Sequence, residues 1–503
     1  FYQKFSIKKI TYQFQERTTN IKDKNYFNLV FFFIIVFFLL FEFFSLGFPL
    51  QKLDLVHEGQ KLSSAYRSFL DNSLWSESYV TVGIFYETIS SKLIWSIFNH
   101  QSVGLIRFLN IFFIFILKLL LIFLTFKITQ LLNINNFYKQ LFFIFNSYIC
   151  INILDYNISS ADLLNFREIP IVLTLILIIE FIQNAKIRNY LAIFFGSMSI
   201  LTVFWSLDRG LVYNLLILNF ALYLLLTREY QKLLILIGSI IFFWVFFFFL
   251  LGNEFQYFVS NSLSILKNMS YVHGIIHPTP FSEDPNSYRA TKTLILIILV
   301  LLISINLFFK VDKKFSINLK IFLFFLAIVS FLSYAYVVGR SDGPHIKNIF
   351  GYPLIFFSFY FSYLFLHYLE KKFDLKSFPL SKYFLLLILV TFSFFSFFEL
   401  DIKKIKSYPE RFSKYIYLSD NEFLSKSEII FLEKSKPLVK KYDCIQLFSN
   451  DVALLYLLKK KSCSKYYFVW SVGSKSNQKE LIMPCIGICQ GLRAGFCRVF
   501  RLN

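Results

Sequence analysis

Acidic, basic and imidazole side chains in this 503-residue chain gather in a few short polar stretches set between long apolar runs. One stretch reads Leu53-Asp54-Leu55-Val56-His57-Glu58-Gly59-Gln60 and closely follows the first apolar run. A second is Asp208-Arg209-Gly210, and a third is Gly339-Arg340-Ser341-Asp342-Gly343-Pro344-His345. These residue types together suit the attack of a hydroxyl on a centre that carries an anionic leaving group. A carboxylate takes the proton of the attacking hydroxyl, and a guanidinium stabilises the charge that develops on a departing phosphate. Asp54 fits the base, with Glu58 one turn later as a second catalytic carboxylate or its partner. Arg209 and Arg340 suit the phosphate clamp, flanked by Asp208 and Asp342, while His57 and His345 can hydrogen-bond phosphate or substrate hydroxyls. Asp208 and Arg209 equally suit a mutual ion pair that caps a helix end.

What must position these residues is a stack of membrane helices. Hydrophobic residues make up 56% of the chain and charged ones only 17%, too little charge to cover a soluble protein of this size. The apolar residues come in runs of roughly 17–25, the length that crosses ~30 Å of hydrocarbon. Reading the runs between polar breaks gives about eleven spans: 27–48, 103–126, 139–156, 170–185, 189–206, 211–227, 233–251, 293–309, 319–338, 348–369 and 383–400. The expected fold is therefore an all-α polytopic membrane protein. The net charge of +21 carries no nucleic-acid signature, because most Lys and Arg flank apolar runs.

Basic flanks set a direction. With residues 1–26 as a cytoplasmic segment, Lys22, Lys24, Lys186, Arg188, Arg228, Lys232, Lys313, Lys314, Lys371 and Lys372 all fall on the inner face. The polar stretches then share the outer face, including the first outer loop (49–102), the Arg167-Glu168 turn and five of the six histidines. Residues 27–400 form the membrane domain, 401–483 a small extracytoplasmic α/β domain, and 484–503 a tail of different composition rich in Cys, Gly and Arg. Cys444 and Cys463 read equally as a disulfide or as two thiols. No cysteine spacing of a metal site is present, His57-Glu58 does not begin a His-Glu-x-x-His site because Lys61 occupies the last position, and no phosphate-binding glycine loop is found.

In its many-span layout, its long first loop with an acidic residue soon after helix one (Asp54 in Asp-Leu-Val-His-Glu-Gly) and its extracytoplasmic C-terminal domain, the sequence resembles the GT-C superfamily. These are membrane glycosyltransferases that use polyprenyl-phosphate sugars, and include protein O-mannosyltransferases and aminoarabinose transferases. The resemblance implies a polyprenyl-phosphate-linked sugar donor, a lipid, glycan or protein acceptor, and a multi-pass protein of a bacterial inner membrane. The adjacent acidic pair common in that loop is missing here, which leaves a divalent metal an open option and no cofactor certain. Two other readings compete: an O-antigen polymerase or ligase, and a transporter or flippase of lipid-linked glycans. The latter expects charges within spans and internal repeats between halves, whereas only the isolated Glu42, Lys118 and Glu180 lie within spans and no repeat is evident.

Overall fold

The computed structural model describes residues 26–154, 156, 163–273, 280–283, 287–309, 314–338, 349–372, 401–472, 474–475, 477–479 and 481. Ten of the eleven expected spans fall on helices, and the eleventh, 383–400, lies outside the described residues. The helices are α1 (Tyr26–Ser45), α4 (Val103–Leu131), α5 (Asn136–Asn152), α6 (Ile169–Gln183), α7 (Arg188–Trp205), α8 (Leu207–Leu226), α9 (Tyr230–Leu251), α11 (Ser287–Phe309), α12 (Ile317–Val338) and α13 (Gly351–Lys372), with α10 (Asn253–His273) between α9 and α11. Among the described residues seven helices are long and apolar enough to cross a bilayer, and Leu29–Ser45 is a shorter apolar helix. The chain is an α-helical, polytopic membrane protein.

Most side chains on these helices are apolar and no helix carries a continuous polar face, as lipid requires. On α9, Phe242, Phe246 and Phe249 are exposed, which in a membrane protein is the face turned to acyl chains. Glu42 in α1 and Lys118 in the middle of α4 meet each other: Lys118 Nζ lies 3.1 Å from Glu42 Oε1. Glu180 on α6 pairs with Lys127 on α4. Each mid-span charge therefore has an opposite charge beside it, which lowers the cost of placing it among apolar helices.

The helices alternate in direction, so their connections separate into two ends. At one end Arg188 Nη1 donates to Glu229 Oε1 at 2.8 Å, and Ser316 Oγ donates to Leu131 O at 2.8 Å. The other end carries the first loop, the Arg167-Glu168 turn, the Asp208-Arg209 turn and the start of α13. The first loop holds two helical pieces. Helix α2 (His57–Asp71) is followed by a π-helical turn (Phe85–Ile89) that runs into α3 (Ser90–Phe98). A chain reversal at Asn72, whose φ of 52° is left-handed, stops α2.

Residues beyond 400 supply α14 (Ile402–Lys406), α15 (Tyr408–Ile416), α16 (Lys426–Val439) and α17 (Ala453–Leu457). Their β component is one short parallel pair, β1 (Cys444–Ile445) on β2 (Lys461–Ser462), with Cys444 opposite Lys461. The disulfide joins Cys444 to Cys463 across this pair. This region shares one core with the first loop: Leu53, Leu62, Trp95 and Leu105 pack with Tyr415, Phe423, Leu432 and Leu457. Gly59 is small because α2 crosses the start of α17 there; a Cβ on Gly59 would lie 2.5 Å from Ala453 N. Backbone bonds reinforce the seam, from Leu53 N to Phe423 O (2.8 Å) and from Ala453 N to Leu55 O (3.0 Å).

Candidate functional site

Asp54 opens α2. Its Oδ1 accepts from the backbone N–H groups of Val56 and His57, each at 2.9 Å, so the carboxylate satisfies donors that the first turn leaves free. Its Oδ2 lies 2.7 Å from His57 Nδ1, and both side chains stay about half exposed. Burial pushes the Asp54 carboxyl up, but hydrogen bonds and charge from His57, with the Val56 N–H, outweigh it and hold the group below the usual aspartate range. Asp54 is thus ionised, reachable and held in one orientation.

Glu58 points the other way. Arg107, four residues into α4, grips it through two bonds, Nε to Oε1 and Nη2 to Oε2, both 2.8 Å. The same guanidinium donates to the carbonyls of Pro49 (3.2 Å), Gln51 (2.8 Å) and Lys52 (3.1 Å), and its ring-facing side sits over Phe423. Arg107 is fully buried. Glu58 also accepts the Asp54 N–H at 2.9 Å. The pair therefore fixes where the chain leaves the first membrane helix and how Asp54 is presented.

One turn further along both helices comes a second rung. Lys61 follows Glu58 by three residues and Asn110 follows Arg107 by three, and Lys61 Nζ donates to Asn110 Oδ1 at 3.0 Å. The ammonium lies 4.0 Å from the Tyr86 ring centre and 4.8 Å from that of Phe166, two rings stacked 5.1 Å apart. Lys61 is only 6% exposed, and among the described residues no carboxylate pairs with it. An ammonium carries three donors; the amide takes one and the aromatic faces stabilise the charge without using the others.

Tyr86 and Phe166 lead to the third group. Arg167 lies over Tyr86 at 5.7 Å and its Nη1 donates to Asp208 Oδ2 at 3.2 Å. Arg209 Nε lies 2.5 Å from Glu168 Oε1 and 3.8 Å from Asp208 Oδ2. Tyr352, on the first turn of α13, donates to Glu168 Oε2 at 2.7 Å, and Ser206 donates to Asp208. Asp208 and Arg209 thus pair mainly across to the preceding turn, rather than chiefly with each other. Two polar groups therefore stand at one end of the bundle, Asp54, His57, Glu58 and Arg107 in one and Arg167, Glu168, Asp208, Arg209 and Tyr352 in the other, with Lys61 and the Tyr86–Phe166 ring pair between them. Arg340, Asp342 and His345 lie outside the described residues.

The neighbouring loop is locked by a buried acid that the sequence did not advertise. Glu87 Oε1 accepts from Thr81 N (3.0 Å), Thr81 Oγ1 (2.9 Å) and Val82 N, and Oε2 accepts from the Tyr467 hydroxyl at 3.0 Å. Burial pushes its carboxyl up, and these four bonds offset part of that. Val82 O in turn accepts the Leu207 N–H at 2.5 Å, and a Cβ on Gly83 would lie 2.6 Å from Ser206 Cα. The loop therefore rests directly on the turn that carries Asp208 and Arg209. Among the described residues no group of three His, Cys, Asp or Glu is placed to hold a metal ion.

Fold and polar groups together define a polytopic helical membrane protein with two ion-paired groups at one end. Comparison with known proteins adds one likeness, a crystal structure of an Archaeoglobus fulgidus oligosaccharyltransferase tethered to an acceptor peptide containing the NVT sequon. It is 13% identical, with a TM-score of 0.45, and the match covers 88% of this chain. The chain spans 60% of that protein's length. No family model and no curated protein matches the sequence.

Proposed function

We propose that this chain is a membrane glycosyltransferase of the GT-C kind. It moves a sugar from a polyprenyl-phosphate donor to a lipid, glycan or protein acceptor at the outer face of a bacterial inner membrane. The observation that carries the reading is two ion-paired groups at one end of the bundle, Asp54–His57 with Glu58–Arg107 and Arg167–Asp208 with Arg209–Glu168, and between them the Lys61 ammonium, caged by Asn110, Tyr86 and Phe166 and with no carboxylate pairing with it among the described residues. Asp54 takes the proton of an acceptor hydroxyl as that oxygen bonds to the anomeric carbon, and the electron pair of the breaking C–O bond leaves on the lipid phosphate. Lys61 and Arg209, with Arg340, stabilise that phosphate charge, and the anomeric centre inverts. His57 orients Asp54, while Asp342 and His345 bind substrate hydroxyls. In this reading Glu58 is a positioning residue, and the engagement of both its oxygens by Arg107 supports that role. The Cys444–Cys463 disulfide supports an oxidising, extracytoplasmic setting for this end.

The test uses purified full-length protein and a panel of polyprenyl-phosphate sugars, with release of polyprenyl phosphate followed by mass spectrometry. Asp54→Asn should lower turnover by about 10²–10⁴-fold, and Lys61→Met by about 10²–10³-fold. Wild-type turnover in Asp54→Asn, with the fold retained, would remove the assigned base.

A further inference from the structure

The segment Asp401–Tyr417 packs against the end of the first apolar helix. Arg411 Nη2 donates to Phe44 O at 3.0 Å, in the last turn of the 20-residue apolar helix α1, and Nη1 to Leu46 O at 2.8 Å, just past its end. Tyr408 packs on Phe43, Phe44 and Phe48 with ring centres 5.0–6.1 Å apart. Aromatic rings at the end of an apolar helix mark the headgroup level. In the sequence the apolar run 383–400 ends immediately before Asp401.

At that level the segment is basic and partly apolar on its open side. Lys403, Lys404, Lys406 and Lys414 are exposed, and Ile402 is 64% exposed. Asp401 caps α14 through bonds to Lys403 N (2.9 Å) and Lys404 N (3.2 Å), with Lys404 Nζ 3.9 Å away. Among the described residues Lys403, Lys406 and Lys414 have no carboxylate within ion-pair distance. An internal role would bury or pair these ammonium groups; here they stand open beside an isoleucine, at the depth where phospholipid phosphates lie.

We infer that Asp401–Tyr417 is a lipid-headgroup docking surface. Ile402 inserts among the first methylenes, and Lys403, Lys404, Lys406 and Lys414 bind the phosphates of anionic phospholipids. The inference does not depend on the proposed enzymatic activity, nor on which side of the membrane this end faces. Basic residues beside a membrane gain from a negative surface, and the gain falls off within a Debye length.

The experiment places full-length protein in nanodiscs made with equal parts phosphatidylglycerol and phosphatidylcholine, and measures which lipids co-purify after detergent exchange. Lys403→Gln/Lys404→Gln/Lys406→Gln is compared with Lys436→Gln/Lys440→Gln/Lys441→Gln, which removes the same charge elsewhere in the C-terminal region. Wild type should retain phosphatidylglycerol over phosphatidylcholine. The first variant should lose that preference by up to roughly fivefold per lysine at low salt, and the control should keep it. Equal retention by all three proteins overturns the inference, as does equal loss in the control, which would mean that only total charge counts. Size-exclusion profiles of the variants confirm that each is folded before lipids are counted.

Discussion

Replacing Arg107 by Met tests how the first loop is built. The variant keeps an unbranched apolar side chain in α4 but deletes two bonds to Glu58 and three to the carbonyls of Pro49, Gln51 and Lys52. Glu58 would then be a buried carboxylate supported by the Asp54 N–H alone among these contacts. Breaking a buried ion pair by removing one partner costs about 3–5 kcal/mol. The three carbonyls add little, because Gln51 and Lys52 are exposed and water can reach them. The expected loss is therefore about 3–5 kcal/mol. Removing both charges, as Glu58→Leu/Arg107→Met, should recover most of it, since an apolar pair of similar volume is often neutral. The assay is unfolding of detergent-solubilised protein by sodium dodecyl sulfate, followed by tryptophan fluorescence. Trp95 is a suitable reporter because it lies in the same core as Tyr415 and Leu457. A loss below about 1 kcal/mol in the single variant, the size of an exposed pair, would show that Arg107 does not hold the loop.

Other outcomes follow from the same geometry. Asp54→Ala should cost about 1 kcal/mol through loss of its bonds to the Val56 and His57 N–H groups; because its folded pKa is depressed, the stabilisation is full above the unfolded value of about 3.8 and fades as pH falls through the folded value, which acid titration of loop protease resistance would show. Glu87 has the opposite sign: its folded pKa is raised, so its stability contribution is full below the unfolded value of about 4.5 and is lost as pH rises through the folded value. Glu87→Gln should therefore flatten this part of the pH–stability curve. Reducing the disulfide, which spans a sequence separation of 19, should cost about 3 kcal/mol and expose the Cys444–Cys463 segment to protease. Gly83→Ala should destabilise by about 1–3 kcal/mol because its methyl meets the Trp205–Ser206 backbone, and hydrogen exchange at Leu207 should rise.

The helices were legible because lipid imposes one rule on every turn: ten expected spans lie on helices, and α1 ends at Ser45, near the expected boundary. The site was legible only where its chemistry is local. Asp54 and His57 sit three residues apart, and their pairing can be read from the chain. Glu58 was visible as an acid, but its partner Arg107 lies 49 positions later inside an apolar run; the only signal was an arginine where an all-apolar helix should begin. Lys61 looked like an interruption of a metal motif, and only the helix pairing turns it toward Asn110, Tyr86 and Phe166. The Asp208-Arg209 neighbours invited a local pair, whereas Arg167 and Glu168 on another turn are their nearer partners. For the region beyond 400, short apolar runs suggested an α/β domain; the described residues hold four α-helices and one two-residue parallel strand pair, so the helical share is larger than the runs alone indicate. Apolar runs of four or five residues do not distinguish short helices from strands.

The core that the first loop shares with the C-terminal region has a consequence for biosynthesis. Ser63 Oγ donates to Val452 O, 389 positions later in the chain. At ~5–20 residues per second, a ribosome needs about 20–80 s to make that interval. Throughout this time Leu53, Leu62 and Trp95 have been released but their permanent neighbours do not yet exist. A nascent chain of this protein must therefore keep its first loop shielded by something else, and chains cut short after the last span should be cleared by quality-control proteases even when every membrane helix has inserted.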